Sequence, residues 1–397
     1  MRQATTRLAL SAALLLAATA APTTVQAQDT VKIGIIMSFS GQFADPGAQI
    51  DNGIKLYMKE HGDSVAGKKI EIIRKDSGGM APDVTKRLAQ EMIVRDKVDI
   101  LAGFVLTPNA LAAGDVSAEA KKFMVVMNAA TSIVTTKSPY MVRSSVTLPQ
   151  VAETFGTWAA TKGGIKKSYT MVTDYGPGHD FEAGFQRAFK EAGGEITGSV
   201  RFPVANPDFS AFVQRAKDLN PESIMVFVPG GAQPAALGKA IAERGIDLNK
   251  IKVLGSGETT SEQALKSMGD ASLGMITAWH YEYTDKAPKN VAFVKLFNEM
   301  HKRNPDFFSV GGYDGMHVIY EAVKKAGGKT DGDSLIAAAK GLKWDSPRGP
   351  MSIDPETRDV VQTIYIRKVE KVSGEPQNVA FDKVENVKDP VKARMPK

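Results

Sequence analysis

A chain of 397 residues, 43% hydrophobic and 24% charged, has the length and composition to fold as two domains. It contains no cysteine, which excludes thiolate metal sites, cysteine nucleophiles, disulfides and a lipid on an N-terminal cysteine. Residues 1–27 hold Arg2, Arg7 and no acid, so the remainder carries 48 Lys and Arg against 44 Asp and Glu, a balance of +4 over 370 residues that is too dilute to recruit nucleic acid.

The first 27 residues read as a cleavable secretory signal. Arg2 and Arg7 supply the positive start, Leu8–Ala21 is an apolar run of mostly Leu and Ala, and Pro22 breaks it. Val25-Gln26-Ala27 then offers small side chains at the −3 and −1 positions, with Gln28 the expected first residue of the mature chain. The run is too short and Ala-rich for a membrane anchor, and no later segment approaches a span. A secreted, unanchored chain of this kind is expected in a periplasm.

From Gln28 onward, short apolar runs alternate with amphipathic stretches. Val31–Met37, Ile70–Lys75, Val98–Gly103 and Phe123–Met127 are nearly uniform in apolar or β-branched residues, as parallel strands buried on both faces must be. Between them, Ile50, Ile54, Tyr57 and Met58 share one helical face, as do Val84, Leu88 and Met92. After an extended Tyr140–Val146 the pattern restarts with strands at Ser168–Thr173, Ser223–Val228, Ile251–Leu254 and Gly274–Ala278. Helices are expected around Phe181, Phe185 and Phe189, at Ala211–Asp218 and at Ala235–Arg244. Two further helical stretches, Val291–His301 and Gly312–Lys325, precede a strand at Val360–Lys368. One sheet of this length would be unusually wide. The expected fold class is α/β, with two Rossmann-like doubly wound lobes built from non-contiguous pieces: residues 28–145 with 284–355, and 146–283 with 356–397.

No catalytic motif survives inspection. Gly327-Gly328-Lys329-Thr330 lacks the earlier glycine of a phosphate loop, because position 323 is Val, and it reads as a helix-ending turn. Gly255-Ser256-Gly257 lacks the third glycine of a dinucleotide fingerprint. Ser144 and Ser256 sit in no nucleophile elbow. His61, His179, His280, His301 and His317 show no metal-type pairing. No enzyme, cofactor or metal is expected.

Ligands of doubly wound sheets bind beyond the carboxyl ends of the strands, so the residues just after each strand are the candidates. In the first lobe these are Ser40 and Phe43, then Phe104 and Thr107, then Asn128, Ala129 and Thr131. Hydroxyls and backbone N–H groups near helix starts suit a carboxylate; any one of them alone reads better as a helix cap, but three such loops at one edge of a sheet tilt the balance toward a site. The second lobe offers Tyr175, Gly230, Glu258 and Tyr281 at the equivalent ends, where aromatics and an acid could close over the ligand.

Lys32-Ile33-Gly34 with Ser40-Gly41, then Asn52-Gly53, Ala129-Ala130-Thr131 and Asp174-Tyr175-Gly176 occur in an order and spacing, behind a signal sequence, that resembles the periplasmic solute-binding proteins of ABC importers, in the branched-chain amino acid receptor family. The likeness runs over nearly all of Gln28–Lys397. It implies two lobes joined by three crossovers, a ligand held in the cleft, closure on binding, and an ABC permease as partner. It also implies that Thr107 and Thr131 give hydroxyls to a ligand carboxylate, Ala129 gives backbone, and Tyr175 closes from the second lobe. Amino acid receptors of this family pair the α-ammonium with a Glu after β-strand Ile251–Leu254. That place falls on Gly257 here, with Glu258 one residue later, and a shift of one residue in the alignment would restore the Glu. Ala232 and Pro46 stand where aromatics are expected. These departures imply a larger pocket and favour an aromatic or other non-amino organic acid over an amino acid. A branched-chain amino acid receptor, or a sensor feeding a membrane kinase or chemoreceptor, remains the alternative. A monomer is expected.

Overall fold

The computed structural model describes residues 29–394, so the signal expected over residues 1–27 lies outside the described residues. In chain order the first lobe opens with β1 (Thr30–Met37), α1 (Ala44–His61), β2 (Ser64–Val65), β3 (Lys68–Asp76), α2 (Pro82–Val94), β4 (Ile100–Gly103), α3 (Thr107–Ala120), β5 (Phe123–Val126) and β6 (Met141–Arg143). These strands form a six-stranded sheet ordered β2-β3-β1-β4-β5-β6, parallel except for β2. Strand β1 shows why the sheet is covered on both sides. Val31, Ile33 and Ile35 belong to a core shared with Ile50 and Ile54 of α1, whereas Ile36 faces Leu88 and Met92 of α2 and Ala110 of α3.

The second lobe begins with α4 (Leu148–Ala160) and continues through β7 (Lys167–Thr173), α5 (Gly176–Glu191), β8 (Glu195–Phe202), α6 (Phe209–Asp218), β9 (Ser223–Phe227), α7 (Gln233–Glu243), β10 (Lys252–Ser256), α8 (Glu262–Met268) and β11 (Ile276–Trp279). Strands β8, β7, β9, β10 and β11 are parallel neighbours. The Phe stripe of α5 is buried as its spacing requires: Phe185 meets Phe155 of α4 edge-on at 6.0 Å and Phe181 lies 5.3 Å from Phe227 of β9.

The chain then returns to the first lobe with α9 (Pro288–His301), α10 (Phe307–Lys325) and α11 (Gly332–Ala339), of which α10 packs along α1. The contact is close because it is made through glycine. A Cβ on Gly53 would lie 1.9 Å from Ser309 O, and one on Gly312 would lie 2.1 Å from Ile50 O. The hairpin β12 (Lys343–Ser346) and β13 (Gly349–Ile353) leads to the long β14 (Val360–Val372), antiparallel to β11, and β15 (Glu375–Val387) finishes that sheet's outer side. The fold is therefore two α/β lobes with three crossovers, at residues 144–147, 280–287 and 354–359.

One helix boundary shifts, and two strands join those expected. Helix α10 starts at Phe307 rather than Gly312, because Asp306 caps it in a reciprocal box with Ser309 and the glycines are contact points, not an end. Strand β8 was invisible to a search for apolar runs since its burial alternates at a sheet edge. Strand β15 is charged and exposed for the same reason.

Candidate functional site

Both sheets point the carboxyl ends of their parallel strands at one narrow cavity between the lobes. The first lobe contributes Phe43 and Pro46 after β1, Val105, Leu106 and Thr107 at the start of α3, Asn128 and Ala130 after β5, and Phe308 from α10. Tyr175 and Pro177, Pro229 and Gly230, and Glu258 come from the second lobe, while Leu148 opens α4 at the first crossover. The lobes touch around this cavity. Phe308 lies 2.7 Å from where a Cβ on Gly230 would stand, Ser132 N–H donates to Asp180 Oδ2 at 2.8 Å, and Gly176 abuts Thr131.

At the first-lobe end, Thr107 is the first residue of α3, where the helix leaves N–H groups that it cannot satisfy itself. Its Oγ1 lies 2.9 Å from Thr131 Oγ1 and accepts the Thr131 N–H at 3.4 Å. The Asn128 amide donates to Val105 O at 2.8 Å and so fixes the β4–α3 loop. Among the described residues, no Lys, Arg or His lines the cavity. A carboxylate here would be met by neutral donors and by the dipole of α3.

Glu258 forms the opposite end. It is 6% exposed, and its Oε2 accepts the Gly230 N–H at 2.6 Å. Burial pushes its carboxyl up to about 7, against the opposing pull of the Gly230 hydrogen bond. Tyr175, the residue before α5, lies close by, its phenol raised well above the usual range by burial and then by the Glu258 charge.

Of the candidates read from sequence, Phe43, Thr107, Asn128, Tyr175, Gly230 and Glu258 line the cavity. The others do not. Ser40 is exposed. Phe104 is packed into the core beneath α2 and α3, with φ +68 turning it away from the cleft, and its carbonyl accepts the Ala129 N–H at 3.0 Å. Ala129 shares that core, leaving Ala130 at the cavity wall. Thr131 reaches the cavity only through Thr107. Tyr281 is buried with its hydroxyl on Asn290 Oδ1 at 2.9 Å, because β11 ends at Trp279 and the chain is already crossing back. The displaced-acid expectation is also corrected. A side chain at position 257 would start 2.2 Å from the Trp279 ring, so the acid that faces the cavity is Glu258 itself. Phe308 sits on α10, away from any strand end, so position after a strand does not reveal it. The Asp306 cap before the Phe307-Phe308 pair was its signal.

Comparison with known proteins places this geometry. The family described as periplasmic binding protein matches residues 30–375. A Leu/Ile/Val-binding protein homolog 6 from Brucella melitensis is 42% identical over 348 residues, 86% of this chain and 88% of that protein. A solute binding protein of an ABC transporter from Rhodopseudomonas palustris BisB5, solved in complex with 3,4-dihydroxybenzoic acid, is 54% identical, with a TM-score of 0.89 over 92% of this chain and 100% of its own. Another, from strain HaA2 and in complex with p-hydroxybenzoic acid, is 39% identical with the same TM-score and coverage.

Proposed function

The chain belongs to the periplasmic binding protein family, and from that premise we propose that it is the receptor of an ABC importer, capturing a small aromatic carboxylate between its lobes without catalysis. The observation that carries the ligand class is the cavity's lining. Phe43, Leu106, Phe308 and Tyr175 give apolar and aromatic walls, with the Thr107 end of α3 on one side and no basic residue to demand a second anion. The receptor delivers its ligand to a permease from the periplasm, and its lobes divide near residues 145, 283 and 355. Relatives crystallised with hydroxylated benzoates support this reading, and the Brucella homologue keeps the branched-chain amino acid class as the comparison to test against.

A thermal-shift screen of benzoate, 4-hydroxybenzoate, 3,4-dihydroxybenzoate and leucine tests the proposal. An aromatic acid present at a hundred times its dissociation constant adds about 2.7 kcal/mol of stability and raises the midpoint visibly. A shift with leucine and none with the aromatic acids would reject the ligand class.

A further inference from the structure

Among the described residues, two ionisable side chains line the cavity, Tyr175 and Glu258, and neither is a cation. Glu258 spends Oε2 on the Gly230 N–H, and no hydrogen bond holds Oε1 among the described residues. The carboxyl therefore faces the space left for the ligand with one oxygen uncommitted. A ligand carboxylate at Thr107 would share a small, largely apolar chamber with this acid and no positive charge between them. Two carboxylates in such a space cannot both stay ionised cheaply. Either the ligand brings its own cation, as an amino acid does, or Glu258 takes a proton.

We infer that Glu258 is the specificity-determining residue of the cavity: it is protonated in the complex and hydrogen-bonds a hydroxyl on the far side of the ligand ring, so that each capture takes up a proton. The inference rests on the aromatic-acid reading above and deepens it. The aromatic walls favour a ring over an aliphatic ammonium ligand, and the free Oε1 gives a ring hydroxyl its only carboxyl partner in the cavity. Burial raises the Glu258 carboxyl, and the Gly230 N–H is the group that opposes it. Burial already holds the Glu258 carboxyl near 7 before any ligand is present. Tyr175, just before α5, faces it with a phenol that stays neutral. Behind Phe308, Asp306 caps α10 and is itself pushed up to about 7 by burial. On the remaining side, Gly257 rests on the Trp279 ring. The ligand's carboxylate raises the acid further, so binding selects the protonated form. Below the free carboxyl's range no proton moves. Above it, each binding event must draw one from solvent.

Isothermal titration of the full mature chain with 4-hydroxybenzoate, benzoate and leucine, at pH 6, 7 and 8 in two buffers of different ionisation heat, reads the proton directly. The wild type is expected to take up a fraction of a proton that rises toward one at pH 8. Its affinity for 4-hydroxybenzoate should fall by up to about tenfold per pH unit above 7. Glu258→Gln, which cannot ionise, should show no proton uptake and a flat pH profile, with its melting curve reporting that it folds. Glu258→Ala should lose the preference for 4-hydroxybenzoate over benzoate. Hydroxybenzoate binding with no proton uptake at pH 8 would overturn the inference while leaving the ligand class standing. Uptake that persists in Glu258→Gln would overturn it too, by assigning the proton to another group such as Asp306. Leucine binding that collapses in Glu258→Gln, with no aromatic acid bound by the wild type, would overturn both readings.

Discussion

Thr107 and Thr131 show how far a single residue's role can be read from its place after a strand. Both follow parallel strands of the first sheet, which is legible because β4 and β5 are wholly apolar and end in hydroxyl-bearing loops. Sequence cannot separate their roles, because a shift of one residue decides which side chain meets the cleft. The structure does separate them: Thr107 lines the cavity, and Thr131 is hydrogen-bonded behind it at 2.9 Å. Thr107→Val should therefore cost roughly 1.5–3 kcal/mol of carboxylate binding, the range of a hydrogen bond to a charged group. Thr131→Val should cost roughly 0.5–1.5 kcal/mol, the range of a neutral one, by freeing the Thr107 hydroxyl to point elsewhere. Titration calorimetry of the two variants checks the order, and equal losses would place both hydroxyls on the ligand. The same ambiguity of facing explains Phe104 and Tyr281. An aromatic after a strand belongs to the cleft or to the core according to a local dihedral, and Phe104 takes φ +68.

At the scale of elements, what could be read was whatever is buried on both sides. The interior strands and the Phe stripe of α5 announce themselves by composition, whereas β8 and β15 lie at edges and mix charge with apolar residues. The joint between the lobes left still less trace, since it is made of polar residues brought together from far apart. Arg348, 2% exposed, donates from Nε to Asp314 Oδ2 at 2.8 Å and from Nη1 to Ser145 O and Gln362 Oε1, both at 3.0 Å. It also contacts Ser144 O and His280 Nδ1. One guanidinium thus holds the first crossover, the start of the second, and β14 just beyond the third. His280 must accept from it and stay neutral, in keeping with a pKa lowered by burial and then by the Arg348 charge. Arg348→Met would leave Asp314 as a buried charge without its counter-ion, at a cost of about 3–5 kcal/mol. Denaturant unfolding measures this, and Arg348→Met combined with Asp314→Asn should recover a good part of it. An unchanged midpoint in the single variant would show that the joint does not depend on the pair.

For the molecule as a whole, capture requires two lobes to meet over a ligand that neither holds alone. On the proposed function, the lobes are expected to exchange between open and closed forms, with ligand shifting the balance by touching both lobes only when closed. The described conformation is a closed one, and its tightest point is backbone against backbone. Gly231 of the second lobe sits at φ +104, and a Cβ there would fall 2.3 Å from Gln42 O of the first. An alanine at this position would meet both a left-handed backbone that disfavours side chains and a carbonyl that cannot move aside without shifting the Phe43 wall. Only the clash is relieved when the lobes stand apart, since the carbonyl is then out of reach, whereas the backbone strain remains. Gly231→Ala should therefore weaken ligand binding by at least about tenfold, equivalent to about 1.4 kcal/mol, beyond the lowering of the ligand-free melting temperature that the left-handed backbone alone imposes. Small-angle scattering supplies the structural half of the test. The wild type should contract on saturation with its aromatic acid, and the variant should keep a larger radius of gyration at the same saturation. If the variant contracts as far as the wild type and binds as tightly, the lobes close along some other path than the Gly231–Gln42 contact.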